Sequence, residues 1–181
     1  AEDYYLHGGG KNLDFHEQFE QAPQYRGEYS TALFARKGIE WARNTTARNA
    51  SQSTLLYLSF QAVHGPIEAP PNAGAYDNAC GRITQPTRKT YCEMMQALDE
   101  GVANITTAYK QMGIYDDTVF LFLADNGGMN ADGGFNEPLR GQKATVWEGG
   151  VRSQTFVSWS GFGAGVKGHE YGGMAHAVDW G

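Results

Sequence analysis

An α/β fold with a mostly parallel central sheet flanked by helices is what this 181-residue chain predicts. Two patterns carry that expectation. Between Arg88 and Met112 the apolar residues Tyr91, Met94, Met95, Leu98, Val102, Ile105 and Tyr109 recur at helical spacing, and Gly113 closes the stretch. Directly after it, Val119-Phe-Leu-Phe-Leu-Ala124 has no helical period and breaks at Gly127-Gly128, which reads as a buried strand ending in a surface loop. Strand candidates at 54–60 and 152–159 lie on either side. Strand, helix and strand in that order imply a βαβ unit whose sheet is covered by helices.

Taken in order, residues 1–31 are rich in Gly, Gln and Tyr without a period and read as irregular loop. Residues 31–43 set Leu33, Phe34, Ile39 and Trp41 among charges, which suits a short amphipathic helix. The polar stretch 44–53 reads as a surface loop. In 54–60, Leu, Tyr and Phe are too dense for an exposed edge, so this strand is expected to be covered. Pro66, Pro70 and Pro71 make 65–85 a long loop. The helix of 88–112 and the strand of 118–124 follow, then a Gly-rich loop, then the last strand. No internal repeat or linker divides the chain, and its length suits one domain.

Composition narrows the partners. With 24 glycines and 41% hydrophobic residues the chain is loop-rich. A net charge of −6 argues against non-specific nucleic-acid binding, and no run approaches the ~18 apolar residues of a membrane span. Asn44-Thr-Thr46, Asn49-Ala-Ser51 and Asn104-Ile-Thr106 are N-glycosylation acceptors, meaningful on a secretory route. Cys80 and Cys92 flank a short polar stretch containing Pro86; a small disulfide loop and two free thiols are both open readings.

The candidate chemistry gathers after the strand of 118–124. Asp125 and Asn126 present a carboxylate and an amide oxygen at the strand's carboxyl end, where open α/β sheets place ligands. Hard oxygen donors of this kind suit Ca²⁺ or Mg²⁺ rather than zinc. Arg140 and Lys143 follow in the same loop, so a cation and basic side chains can converge on an anionic group.

Asp125-Asn126-Gly127-Gly128, Pro138-Leu139-Arg140-Gly141-Gln142-Lys143 and Trp147-Glu148-Gly149-Gly150-Val151-Arg152 together closely resemble the corresponding run of the sulfatase family, most of all its arylsulfatase B type, the N-acetylgalactosamine-4-sulfatases. Leu56-Tyr-Leu-Ser-Phe-Gln-Ala-Val-His64-Gly-Pro66 resembles the family's strand ending in a sulfate-contacting His. His176-Ala-Val-Asp179-Trp180 resembles its HxxDW segment, and Asp3-Tyr4-Tyr5 and 32–42 have counterparts in order. The resemblance implies an alkaline-phosphatase-like fold and Ca²⁺-dependent hydrolysis of sulfate esters, with sulfated glycans as a substrate class. It makes Asp125 and Asn126 metal ligands, and Lys143 and His64 catalytic contacts to the sulfate. Arg140 and Arg152 are expected to brace the loop through carboxylates such as Glu148, and Trp147 to pack beneath it. His176 and Asp179 read as scaffold, while His7, His16 and His169 carry no pattern. A lysosomal or secreted location follows from the resemblance together with the acceptor sequences.

Sulfatases use a formylglycine made from the Cys or Ser of a C/S-x-P-x-R motif. Cys80 is followed by Gly-Arg-Ile-Thr and Cys92 by Glu-Met-Met-Gln, so neither fits. Thr84-Gln-Pro86-Thr-Arg88 mimics the motif with Thr in the key place, whose oxidation would give a ketone. The family's early Asp-Asp ligands and its Lys-x-His pair have no counterpart either. Residues 1–181 are therefore expected to be the central to C-terminal part of one sulfatase catalytic domain, inactive alone, with the formylglycine upstream. A rival reading is a non-catalytic secreted glycoprotein of the same fold that binds sulfated glycans or cations. A two-zinc phosphatase or phosphodiesterase of the wider superfamily is disfavoured by Asn126, where those enzymes tend to carry His.

Overall fold

The computed structural model describes Tyr4, Tyr5, residues 13–49 and residues 51–180. Asp3, His7 and Ala50 of the second acceptor sequence lie outside the described residues. A short hairpin, β1 (His16–Glu17) against β2 (Glu20–Gln21), precedes helix α1 (Ser30–Arg48). A single turn, α2 (Asp77–Cys80), leads to the long helix α3 (Pro86–Gln111). Strand β3 (Phe120–Leu123), the one-turn α4 (Glu148–Val151) and strand β4 (Thr155–Ser158) complete the order.

Helix α3 begins as its residues require. Pro86 sits in the first turn, where its missing N–H costs nothing, and the Gln85 side chain accepts from the Arg88 N–H. The stretch 84–88 that mimics the formylglycine motif is thus a helix start. Along α3 the periodic positions Met94, Leu98, Ile105 and Tyr109 are buried. Helix α1 lies against this face, with Ala35 and Ala42 packing on Ile105 and Tyr109. The contact is close because Gly101 is bare: a Cβ there would sit 3.4 Å from that of Ala35. Each fully buried side chain of this size, Met94 among them, contributes roughly 1.5–3 kcal/mol.

Helix α1 runs to Arg48, beyond the expected 31–43, so the first acceptor sequence is helical rather than loop. Asn44-Thr-Thr46 has weak helix propensity, but Ala42 docking and a Thr45 hydroxyl bond to the Trp41 carbonyl (2.9 Å) carry the helix on. Asn44 and Asn104 both remain exposed.

Residues 54–60 run extended and alternate in burial. Leu56, Leu58 and Phe60 face the helices, whereas Leu55 and Tyr57 stay 90% and 84% exposed. Among the described residues this stretch forms no ladder, and only its helix-facing side is covered. The third expected strand exists as β4, but it pairs antiparallel with β3, Leu121 opposite Val157 and Phe122 opposite Phe156. Where a mostly parallel sheet is expected this one pair is antiparallel; the expected βαβ unit of 54–60, α3 and β3 is a different set of elements, which this pairing leaves untouched. The connection between β3 and β4 folds back on itself through residues 124–154 and extends the antiparallel ladder with Ala124 N–H donating to Gln154 O at 2.9 Å.

Cys80 and Cys92 are joined in a disulfide that ties α2 to α3. No described helix is long and apolar enough to cross a membrane.

Candidate active site

The strand end, a pair of glycine contacts and the α4 turn build the site. Beyond β3 the chain enters Asp125-Asn126 and then passes Gly127 against the α4 turn, with Gly127 N–H donating to Gly150 O at 3.0 Å. The approach allows no side chain: a Cβ on Gly127 would lie 1.8 Å from Gly149 O. Gly128 and Gly134 meet in the same way, backbone to backbone, with a Cβ on Gly134 falling 2.7 Å from the Gly128 Cα. Asn136 clamps Gly128 from both sides, its Oδ1 accepting from Gly128 N–H at 2.8 Å and its Nδ2 donating to Gly128 O at 2.9 Å.

Lys143 is brought to this turn by its own main chain. Its N–H donates to Gly128 O at 3.2 Å, and Gln142 Oε1 accepts from Asn130 N–H at 2.9 Å. The Lys143 side chain is half-buried. Beside it the Arg140 guanidinium stacks 3.6 Å from the centre of the Trp147 ring, a cation–π contact that fixes both. Of the two arginines expected to brace the loop through carboxylates, Arg152 does so, reaching Glu148 at 3.4 Å, whereas Arg140 uses the indole face and its own carbonyl, which accepts from Gly149 N–H at 2.8 Å.

His64 is exposed at the end of the extended stretch. Its Nδ1 lies 2.6 Å from Gly65 O, which leaves Nε2 for a ligand. Its backbone is held by Tyr4, whose buried hydroxyl donates to His64 O at 2.9 Å. Asp132 connects this loop to the Gly-rich one: a Cβ on Gly65 would fall 3.1 Å from Asp132 Oδ2, while Asp132 N–H donates to Met129 O at 3.1 Å. Helix α3 closes the cluster from below, with Arg88 Nη1 donating to Gly133 O. Asp132 and Arg88 escaped sequence reasoning. Arg88 is 45 residues from its partner, and no local pattern announces such a contact.

Asp125 is exposed and Asn126 half-buried; Asn126 Nδ2 donates to Gly127 O at 2.9 Å, which leaves Oδ1 as that amide's acceptor. These two oxygens fit a hard cation as part of the ~6–8 ligands that Ca²⁺ takes. Among the described residues no three His, Cys, Asp or Glu side chains gather as a metal-binding group, so Asp125 and Asn126 account for only part of such a shell. His176 and Asp179 cap one another, His176 N–H donating to Asp179 Oδ2 at 2.7 Å in an exposed terminal turn. Among the described residues, neither takes part in the hydrogen bonds of this cluster.

The chain matches the Sulfatase family model over residues 3–177. Arylsulfatase J of Mus musculus is 36% identical over 161 residues, which cover 86% of this chain and 26% of that protein. The N-acetylgalactosamine-6-sulfatase of Rattus norvegicus is 26% identical over 149 residues, 80% of this chain and 26% of that protein. Among solved structures, Ps i-CgsB in complex with k-i-k-neocarrahexaose shares 30% identity at a TM-score of 0.71, covering 80% of this chain and 30% of that one. The chain spans about a quarter of the length of these curated relatives.

Proposed function

This chain belongs to the sulfatase family, and on that premise we propose that the native protein hydrolyses sulfate esters at the loop cluster of Asp125, Asn126, Lys143 and His64. Its α/β fold is the alkaline-phosphatase-like one, present as a partial domain. The observation that carries the functional reading is the pinning of Lys143 to the Gly128 carbonyl, three residues after Asp125, in the same cluster as the His64 loop.

In this reading the Lys143 ammonium is the compact cation that neutralises the sulfate. His64 Nε2 hydrogen-bonds a sulfate oxygen and supplies a proton as the ester oxygen departs. Asp125 and Asn126 would hold Ca²⁺ with ligands from outside this chain; when bound, the ion supplies polarisation of a sulfate oxygen. Both cysteines are committed to a disulfide, so neither is the precursor of a formylglycine nucleophile. That group is expected on a segment outside residues 1–181, which then constitute the central to C-terminal part of one catalytic domain. Substrates are arylsulfatase-type esters, with sulfated glycans of the N-acetylgalactosamine class as the finer assignment. The disulfide and the exposed acceptor asparagines Asn44 and Asn104 support a glycoprotein of the secretory route, lysosomal or secreted.

Turnover of 4-nitrocatechol sulfate decides the matter. The native protein is expected to hydrolyse it, and the isolated 181 residues are not. Tight binding of a sulfated glycan without hydrolysis by the native protein would replace catalysis with the non-catalytic reading.

A further inference from the structure

We propose that Asp132 is a positioning residue for His64, a wedge that fixes the Gly65 peptide and through it the imidazole; this rests on the sulfatase reading above. The need for a wedge is written in the sequence. Gly65 follows His64 directly, and glycine is the residue whose backbone turns most freely. The Gly65 carbonyl is also the group that lies 2.6 Å from His64 Nδ1, so rotation at Gly65 would carry the ring's anchor with it. Which ring nitrogen faces a ligand depends on that anchor.

Asp132 takes the space that a side chain at Gly65 would fill. A Cβ there would meet Asp132 Oδ2 at 3.1 Å, Cγ at 3.4 Å and Oδ1 at 3.5 Å, so the whole carboxyl group lies against the glycine. Tyr4 holds the carbonyl before it, its hydroxyl donating to His64 O at 2.9 Å. With Tyr4 on His64 and Asp132 on Gly65, the carbonyls of both residues are constrained. Nothing at the Cβ position of a glycine donates a hydrogen bond, so the contact is one of shape, and an isosteric amide should serve equally.

The wedge has a rigid mount. Asp132 N–H donates to Met129 O and Gly133 N–H to Asn130 O, both at 3.1 Å. Gly133, at a φ of 89°, sits on the first turns of α3, where a Cβ would lie 3.1 Å from Arg88 Cα, Thr87 O and Tyr91 Cβ alike. Arg88 Nη1 donates to Gly133 O. Burial raises the Tyr91 phenol, Arg88 opposes that shift and Asp132 adds to it, so guanidinium and carboxylate share one neighbourhood. The same loop carries Gly128, whose carbonyl accepts the Lys143 N–H at 3.2 Å. The imidazole and the backbone of the lysine are thereby referred to one frame.

The test uses the protein at its native length, with 4-nitrocatechol sulfate and phenyl sulfate, whose phenolate is the poorer leaving group. Asp132→Ala is expected to lower kcat on phenyl sulfate about tenfold, and on 4-nitrocatechol sulfate by less, because a displaced His64 fails chiefly as a proton donor. Asp132→Asn, which keeps the shape, should restore wild-type values. In a His64→Ala background, Asp132→Ala should cost nothing further. No loss, an equal loss on both esters, a loss that persists without His64, or an Asp132→Asn as slow as Asp132→Ala overturns the wedge. If the native protein cleaves neither ester, the sulfatase reading fails by itself, and amide hydrogen exchange across residues 61–65 decides the wedge. Exchange about tenfold faster in Asp132→Ala and unchanged in Asp132→Asn upholds it; wild-type exchange in Asp132→Ala overturns it.

Discussion

The backbone N–H of Lys143 donates to the carbonyl of Gly128 at 3.2 Å, so the loop's lysine is attached to the Asp125-Asn126 turn through main chain rather than side chain. Its backbone is therefore held by a contact that no substitution at Lys143, short of proline, removes.

Lys143→Ala is accordingly expected to act on chemistry and not on folding. Removing one preorganised electrostatic group costs roughly 10²–10³ in kcat. Steady-state kinetics of the native-length protein on 4-nitrocatechol sulfate should show a loss of that size, with an unaltered thermal melt. A collapsed melt would instead make Lys143 a structural residue.

Asp125 and Asn126 lead to a different readout. If both donate oxygen to a hard cation, Asp125→Ala should lower the calcium content of the purified native protein, measured by elemental analysis before any assay of turnover. Chelation followed by calcium addition should remove and restore activity in wild type. Unchanged calcium content in Asp125→Ala and Asn126→Ala would take the ion away from this turn.

Gly127 and α4 make the loop's tightest joint. A Cβ at Gly127 would lie 1.8 Å from Gly149 O, a distance no rotamer change relieves because both partners are backbone. Gly127→Ala must push the α4 turn away, and overpacking of this kind costs roughly 1–3 kcal/mol or more. A lower urea midpoint with unchanged slope is the expected result. The displaced Lys143 should lower activity as well.

How far the sequence foretold this arrangement depended on the range of each signal. Helix α3 was legible because seven apolar positions from Tyr91 to Tyr109 keep one period and Gly113 punctuates its end, whereas the start at Pro86 came from the structure. The Asp125–Lys143 loop was legible because its glycines and its charged residues lie close together in one continuous string. The direction of β4 was not: an apolar run has no arrow, and only the folding back of 124–154 makes it antiparallel to β3. Helix α1 outran its pattern because docking of Ala42 on α3 outweighs the weak propensity of Asn44-Thr-Thr46. The density of apolar residues in 54–60 suggests a covered strand, yet only its Leu58 and Phe60 side is covered among the described residues. Asp132 against Gly65, and Arg88 against Gly133, are long-range contacts between residue types that carry no periodicity.

The disulfide offers a prediction for stability alone. Cys80–Cys92 closes a short loop, with a sequence separation of 12, between α2 and α3. Constraint of the unfolded chain by such a loop is worth roughly 2–4 kcal/mol. The double variant Cys80→Ser, Cys92→Ser should melt several degrees lower. Reducing agent should shift wild type toward the variant and leave the variant where it is.

Alkaline pH should reach the site through two buried phenols. Tyr4 and Tyr29 stack at 5.1 Å between ring centres; Tyr4 OH donates to His64 O at 2.9 Å and Tyr29 OH to Glu68 O at 3.1 Å. Burial, above all, raises both phenols well above their ordinary value. The sign follows from linkage. The folded state holds these protons more tightly than the unfolded chain, so the contribution to stability is complete below the unfolded value near about 10 and declines as pH rises beyond it. Melting temperature should therefore stay level to about pH 10 and then fall, and Tyr29→Phe, which keeps the ring and removes one proton, should make that fall shallower. Because folded Tyr4 keeps its proton through this range, its bond to His64 O should persist, and activity at the alkaline end should fall with the melt and not ahead of it. A Tyr4→Phe variant, unable to make the bond to His64 O, should show a raised KM already at neutral pH. Identical alkaline limbs in wild type and Tyr29→Phe would remove the phenols as the cause.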